Sequence, residues 1–258
     1  MKLENSHFNF PIIKFDSDNI LANHIKEPFP IQSFFFVLVG KPGSGKTSLL
    51  LNILSLKDEN RVYYQVFDKI LYVCPNTTRK NIKNNPFDEL PDDQKFESFS
   101  HEVLIKIKEI RSDFDEEKKE RKKKKKRIQH QLLIIDDCTA ELKQKENIRT
   151  FIEIITNRRQ FRLSVILLVQ FLRSIPRPIR FQITDIVLFK TSNRMDSKII
   201  QEEYVNMNNE KFLELTNFCW NSPHDFIFIN KDKEIYYKNL QRIVFDNENE
   251  NEKKNKEL

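Results

Sequence analysis

A glycine-rich octapeptide, Gly40-Lys41-Pro42-Gly43-Ser44-Gly45-Lys46-Thr47, constrains the fold of this 258-residue chain more than any other stretch. It matches the phosphate-loop pattern G-x-x-x-x-G-K-[ST] at every fixed position. The apolar run at 34–39 predicts a strand covered on both faces, and apolar residues at helical spacing follow the loop. Glycine suits a loop whose backbone closes around a ligand, and all three glycines of the chain lie here. The stretch therefore predicts a strand, a phosphate-binding loop and a helix.

The phosphate loop assigns roles to individual residues. Lys46 is predicted to reach the β- and γ-phosphates of ATP, and the Thr47 hydroxyl to hold Mg²⁺. ATP and Mg²⁺ are therefore the predicted cofactors. The predicted nucleotide-binding residues are Gly40, Lys41, Pro42, Gly43, Ser44, Gly45, Lys46, Thr47 and Ser48.

Two further strands are predicted to end in polar side chains. Apolar residues lead into Asp136 and Asp137, and another apolar strand at 164–170 ends in Gln170. Ligands of open parallel sheets bind at the carboxyl ends of the strands, so these side chains are expected together. Asp136 is the predicted Mg²⁺ ligand and Asp137 the general base that polarises the attacking water. Gln170 is the predicted sensor of the γ-phosphate.

Strands and helices alternate along the chain, which predicts an α/β P-loop NTPase with a mostly parallel central sheet and helices on both faces. A β-hairpin is predicted near the carboxyl terminus. Lys46 and Asp136 lie ninety positions apart, which leaves room for an inserted strand, as in RecA-like ATPases that carry their own catalytic acid. GTPases and transporter-type ATPases are excluded, because their signature glycines cannot exist when no glycine follows Gly45.

The predicted domain organisation is an extension at 1–28, an ATPase domain at 29–240 and a polar tail at 241–258. The net charge of +6 is concentrated in a charged insertion near 108–127, which carries eleven basic and six acidic residues. Its basic part, 118–127, either contacts DNA phosphates or another subunit, or is a solvated excursion before the next strand.

Other features narrow the class of protein. The three cysteines, Cys74, Cys138 and Cys219, form no C-x-x-C pair, which favours reduced core thiols over a zinc site or disulfides. The chain has no signal peptide and no apolar run of the ~20 residues that would span a membrane, which predicts a soluble intracellular protein. The prolines of 171–180 predict a rigid loop.

The combination of motifs resembles the packaging ATPases of large DNA viruses and virophages, which are related to the poxvirus packaging ATPase and the FtsK–HerA pumps. The resemblance covers residues 29–237. Besides the phosphate loop, it rests on Ile134-Ile135-Asp136-Asp137, on Thr156-Asn157-Arg158-Arg159-Gln160-Phe161-Arg162-Leu163-Ser164 leading to Gln170, on Ile175-Pro176-Arg177-Pro178-Ile179-Arg180 and on Ser222-Pro223-His224-Asp225-Phe226.

The resemblance implies an ATPase that converts ATP and water to ADP and phosphate and pumps double-stranded DNA into a preformed capsid. It implies a homo-oligomer, a hexamer in the family, that works with capsid portal or vertex proteins in the virion or virus factory. Arg159 matches an arginine that acts as a finger on a neighbour's ATP, although Arg158 and Arg180 stay open as alternatives. Two positions depart from the family, which often has His at Gln160 and Glu at Asp137.

Three rival functions stay open. A superfamily 3-like replicative helicase also ends its acidic strand in two aspartates, but it expects Asn where Gln170 stands. A nucleotide-dependent interaction protein would bind ATP without turnover, and a small nucleotide kinase would need an acceptor pocket from 76–127. Arg158, Arg162 and Arg173 are otherwise predicted to be surface salt-bridge partners.

Overall fold

The computed structural model describes residues 20–54, 62–80, 82, 85–109 and 130–245. The basic run at 118–127 lies outside these residues, as do most of the extension at 1–28 and most of the tail at 241–258. The three domain boundaries therefore stay predictions. Within the described chain, Leu21 and Ile25 are already buried in the core.

The described residues form one central sheet with helices on both faces. Its strands are β1 (Phe35–Val39), β2 (Lys69–Val73), β3 (Lys95–Phe96), β4 (Gln131–Asp136), β5 (Leu163–Val169), β6 (Asp185–Phe189), β7 (Phe226–Asn230), β8 (Ile235–Lys238) and β9 (Gln241–Arg242). Its helices are α1 (Lys46–Leu54), α2 (Asn76–Arg79), α3 (residues 101–109), α4 (Lys145–Thr156), α5 (Arg177–Arg180), α6 (Arg194–Ile200) and α7 (Asn209–Cys219). A π-helical turn, Gln201–Val205, continues α6.

The strand order is β3-β2-β4-β5-β1-β6-β7-β8-β9. The first six strands run parallel, and β7, β8 and β9 complete the sheet in antiparallel fashion. This arrangement confirms the predicted α/β fold and its terminal hairpin. The strand between β1 and β4 in the sheet is β5, which follows Asp136 in the chain, whereas β2 and β3 lie between Lys46 and Asp136 in sequence. Leu38 and Asp136 both pair with Leu168, so the tips of β1 and β4 stand level across β5.

The core lies on both faces of the sheet because the central strands alternate between them. In β1, Phe35 and Val37 enter one apolar layer, and Phe36 and Leu38 enter the other. Helix α1 covers the second layer with Leu50, Ile53 and Leu54; α3, α4 and α7 cover the first. All five residues of β1 are buried, as the apolar run predicted. The loop that follows β1 is therefore anchored on a rigid base.

One local prediction was wrong, and two short strands were not predicted. The rigid loop predicted at 171–180 was wrong at α5, because Pro176 precedes that helix and Pro178 lies in its first turn, where no backbone N–H is needed. Strands β3 and β9 were not predicted, because each is two residues long and carries too few residues for a periodic pattern. The predicted core thiols are confirmed, since all three cysteines are free and buried.

Asp185, the first residue of β6, makes folding depend on pH. It is 1% exposed and accepts a hydrogen bond from Asn230 Nδ2 at 2.8 Å. Burial raises the pKa of Asp185 from 3.8 to about 7, so the folded chain binds a proton that the unfolded chain has lost. Stability should fall as pH rises through that window. We expect Asp185→Asn to remove up to about 3 kcal/mol of the pH dependence of unfolding between about pH 5 and 8.

Urea denaturation of both proteins at the two pH values measures this difference. An equal pH dependence in wild type and variant would contradict the prediction.

Among the residues that the structure describes, none of the helices is both long and apolar enough to cross a bilayer.

Candidate nucleotide-hydrolysis site

The phosphate loop joins β1 to α1, and its glycines are required by its geometry. Gly43 and Gly45 have φ of 75° and 105°, which side chains rarely adopt. At Gly40 a Cβ would lie 2.5 Å from Ser44 Oγ and 2.8 Å from Phe189 Cβ. A side chain would clash at Gly40 and would be strained by the backbone conformation at Gly43 and Gly45. The N-terminus of α1 begins directly at Lys46, which places unpaired N–H groups at the loop mouth.

Lys46 lies folded over the loop. Its ammonium donates to the carbonyl oxygens of Gly40 at 2.6 Å and Lys41 at 3.1 Å. Burial lowers the pKa of Lys46, and the negative charges of Asp136 and Asp137 offset part of that effect. The lysine is thus held where it can exchange backbone carbonyls for phosphate oxygens.

Asp136, the last residue of β4, is 5% exposed. Burial first, and then the charge of Asp137, raises the pKa of Asp136 to about 6, while the charge of Lys46 lowers it. Within the described chain, its Oδ2 is buried and has no hydrogen-bond partner. A buried carboxylate oxygen without a partner is costly unless a cation binds it. Asp136 therefore fits the predicted role of a Mg²⁺ ligand.

A magnesium ion here would depend on few protein ligands. The described residues contain no group of three or more acidic, histidine or cysteine side chains that could hold a metal ion by themselves. Mg²⁺ is usually held by one or two protein oxygens together with water and substrate phosphates. Asp136 and the half-buried Thr47, the second residue of α1, supply that number.

Asp137 stands just beyond β4 with its side chain exposed. Its φ of 55° turns the backbone, so the side chains of Asp137 and Asp136 point in different directions. Its carboxylate accepts hydrogen bonds from Thr78 Oγ1 at 2.9 Å and from Gln170 Nε2 at 3.4 Å. Gln170 follows β5 and Thr78 lies in α2 after β2, so three neighbouring strand tips position one carboxylate.

A cavity of about 350 Å³ opens beside the loop, between the tips of β1, β5 and β6. Gly40, Lys41 and Gln170 form one side, and Lys190 and Asn193 the other. Its polar lining includes the predicted sensor and the loop backbone. The carboxyl edge of the sheet therefore has space for a ligand group beside the phosphate loop.

Two residues of this edge were missed as functional candidates in the sequence. Thr78 follows the tip of β2, where the rule that ligands bind at strand carboxyl ends would have indicated it. His224 lies in a quoted motif without an assigned role, and its Nδ1 is 3.1 Å from the carbonyl oxygen of Ser44. Both contacts join segments that are distant in the chain.

The three candidate finger arginines lie in different environments. Arg180 is 9% exposed, and its Nε and Nη2 each donate to the carboxylate of Glu203 at 2.8 Å. Arg158 is 7% exposed and donates to the carbonyl oxygen of Ile155 at 2.9 Å. The side chain of Arg159 is 46% exposed and lies 4.0 Å from the carboxylate of Asp232. Only Arg159, of these three, has a guanidinium that another chain can reach.

The predicted surface positions of two arginines were wrong. Arg158 and Arg162 are both 7% exposed, because the turn between α4 and β5 folds them against the end of the sheet. Arg173 is exposed, and its guanidinium lies over the ring of Phe171, 5.3 Å from the ring centroid.

Comparison with known families gives one match that covers most of the chain. The family described as "Poxvirus A32 protein" matches residues 22–258. None of the curated proteins compared with the chain matches it.

Solved structures share the fold. The genome packaging NTPase B204 from Sulfolobus turreted icosahedral virus 2, in complex with ATP-gammaS, is 17% identical with a TM-score of 0.55, and the match covers 82% of this chain and 98% of B204. B204, the DNA-packaging ATPase from Sulfolobus turreted icosahedral virus, is 16% identical with a TM-score of 0.57, over 81% of this chain and 97% of B204. EssC (ATPases 2 and 3) from Geobacillus thermodenitrificans is 10% identical with a TM-score of 0.52, over 81% of this chain and 39% of EssC.

Proposed function

Because this chain belongs to the poxvirus A32 protein family, the viral genome-packaging ATPases that its motifs resemble, we propose that it works as an oligomeric ATP-driven motor on double-stranded DNA. The observation that carries the proposal is the meeting of four side chains at one sheet edge. Asp136, Asp137 and Gln170 stand at the tips of β4 and β5, and Lys46 begins α1 after the loop that follows the neighbouring β1.

Each of these residues has a separate role in ATP hydrolysis. The loop N–H groups and Lys46 bind the phosphates and neutralise the charge that builds on the γ-oxygens. Thr47 and Asp136 would hold Mg²⁺, which would supply further neutralisation of the phosphate charge. Asp137 accepts the proton of the attacking water, and Gln170 orients that water through its amide. Thr78 and Gln170 together hold the Asp137 carboxylate in place through their hydrogen bonds.

An arginine finger must come from another subunit. Arg159 precedes β5 at its amino end, whereas Gln170 follows its carboxyl end. The seven residues of β5 separate these ends by about 20 Å at ~3.3 Å per residue. Arg159 therefore cannot reach the ATP of its own chain. We propose that subunits associate so that Arg159 of one faces the phosphate loop of the next, in a ring with the hexameric arrangement that the family resemblance implies.

The remaining partners follow from the family. We propose that the motor contacts DNA phosphates, docks on capsid portal or vertex proteins and acts in the virion or virus factory. B204 is described as a DNA-packaging ATPase, which supports this assignment for a chain of the same fold.

The test is ATP hydrolysis with and without duplex DNA. We expect Mg²⁺-dependent turnover that duplex DNA stimulates several-fold. Negligible turnover that duplex DNA does not stimulate would favour a nucleotide-dependent interaction protein, and unwinding of forked DNA would favour the helicase alternative. The presence of Gln170 where such helicases expect Asn speaks against the latter.

A further inference from the structure

The phosphate loop contacts a segment near the end of the chain. His224 lies in the turn that leads from α7 into β7, 180 residues after Ser44. Its Nδ1 is 3.1 Å from the Ser44 carbonyl oxygen. A carbonyl oxygen only accepts hydrogen bonds, so Nδ1 carries the proton and donates it.

This hydrogen bond fixes one peptide plane of the loop. In a trans peptide the C=O of one residue and the N–H of the next point in opposite directions. With the Ser44 carbonyl turned toward His224, the Gly45 N–H is turned to the other side of the loop. Gly45 has a φ of 105°, a conformation open to glycine, so its own backbone does not define this orientation.

The turn that carries His224 is itself held in place. Asp225 accepts hydrogen bonds from the Ser222 N–H at 2.8 Å and from Asn239 Nδ2 at 3.0 Å. Asn239 Oδ1 accepts the N–H of Phe226 at 3.0 Å. The His224 backbone is thus fixed from both sides by the β7–β8–β9 hairpin.

A second contact ties the same hairpin to the loop. The ring centroid of Phe226 lies 5.4 Å from that of Phe189. A Cβ built on Gly45 would lie 3.6 Å from both the Phe189 ring and His224 Nδ1. Histidine and aromatic ring therefore support the loop from one side.

We infer that His224 is a positioning residue for nucleotide binding, and that it aims the Gly45 N–H at the phosphates of ATP. The inference rests on the proposed role of the loop as the triphosphate site. The carboxy-terminal hairpin is then part of the nucleotide site, although it carries no residue of the phosphate-loop pattern.

The test compares His224→Ala with His224→Asn, whose amide nitrogen can occupy the place of Nδ1. We expect His224→Ala to raise the Kd for ATP-gammaS and the KM for ATP about five- to tenfold. This is the effect of losing one hydrogen bond to a loop that must then reorder. The kcat should stay within about twofold of the wild-type value. His224→Asn should restore both values. His24→Ala, at another exposed histidine, should leave them unchanged.

A second variant reaches the same bond indirectly. Asn239 has a φ of 54°, so Asn239→Gly keeps the backbone and removes the side-chain bonds to Asp225 and Phe226. Like His224→Ala, Asn239→Gly should raise the Kd for ATP-gammaS. The inference is overturned if His224→Ala binds ATP-gammaS as the wild type does, or if His224→Asn is as weak as His224→Ala.

The Tm measured without nucleotide distinguishes a positioning role of His224 from a role in the stability of the fold. His224→Ala should change it little, whereas the gain in Tm on adding ATP-gammaS should shrink; an equal loss of Tm with and without nucleotide would also overturn the inference. If wild-type chain binds ATP-gammaS but DNA does not stimulate hydrolysis, the motor proposal fails while the binding comparison for His224 still decides this one.

Discussion

Arg159→Ala should lower the ATPase kcat of the assembled protein about 10³-fold or more, the loss seen when an arginine finger is removed in trans. The affinity for ATP-gammaS should stay close to wild type, because Arg159 lies at the opposite edge of the sheet from its own phosphate loop. Steady-state hydrolysis with excess ATP measures the first quantity and calorimetry the second. Arg149→Ala, at an exposed arginine of the same helix region, is the matched control and should keep full activity.

Mixing two inactive variants tests whether the arginine acts between subunits. Arg159→Ala keeps Asp137, and Asp137→Asn keeps Arg159. When the two are co-assembled, a complete site forms wherever the Asp137 of one chain meets the Arg159 of the next. We expect activity to reappear in the mixture. If the mixture stays as inactive as its parts, Arg159 has a role within its own chain instead.

Asp137→Asn is expected to lower kcat by about 10²–10⁴-fold, because an amide cannot take the proton of the attacking water. The substitution suits the backbone, since Asn tolerates the left-handed conformation at φ of 55°. ATP-gammaS binding should therefore persist. Lys46→Ala is the contrasting variant, because it removes a ligand of the phosphates and should weaken binding together with turnover.

Single-turnover measurements test whether Asp137→Asn slows the chemical step of hydrolysis. With enzyme in excess over ATP, Asp137→Asn should slow the hydrolysis step itself, and Mg²⁺ should remain necessary for nucleotide binding. A variant that hydrolyses ATP within a few-fold of wild type would assign the proton to another acceptor. The carboxylate of Asp136 is the nearest alternative, but its role as a metal ligand would occupy it.

Much of the catalytic edge could be predicted because it follows from strand periodicity. Apolar runs identified β1, β4 and β5, and the rule that ligands bind at the carboxyl ends of strands predicted the phosphate loop, Asp136, Asp137 and Gln170 together at one edge. These features depend on local sequence and a topological rule, so no distant contact had to be known.

Other features could not be predicted because they depend on distant contacts. The hydrogen bond from Thr78 to Asp137 joins residues 59 apart, and the one from His224 to Ser44 joins residues 180 apart. The surface predictions for Arg158 and Arg162 failed for a similar reason. A charged residue in a turn is usually exposed, but this turn packs back on the sheet.

The short outer strands of the sheet limit how copies of this chain can associate. Among the described residues, the two borders are β3 and β9, each two residues long, so a neighbouring chain finds almost no free backbone ladder to extend. In the ring proposed above, copies would then meet through side chains and loops, whose contacts can change without breaking strand pairing. Each junction of such a ring could open and close separately as its ATP is hydrolysed.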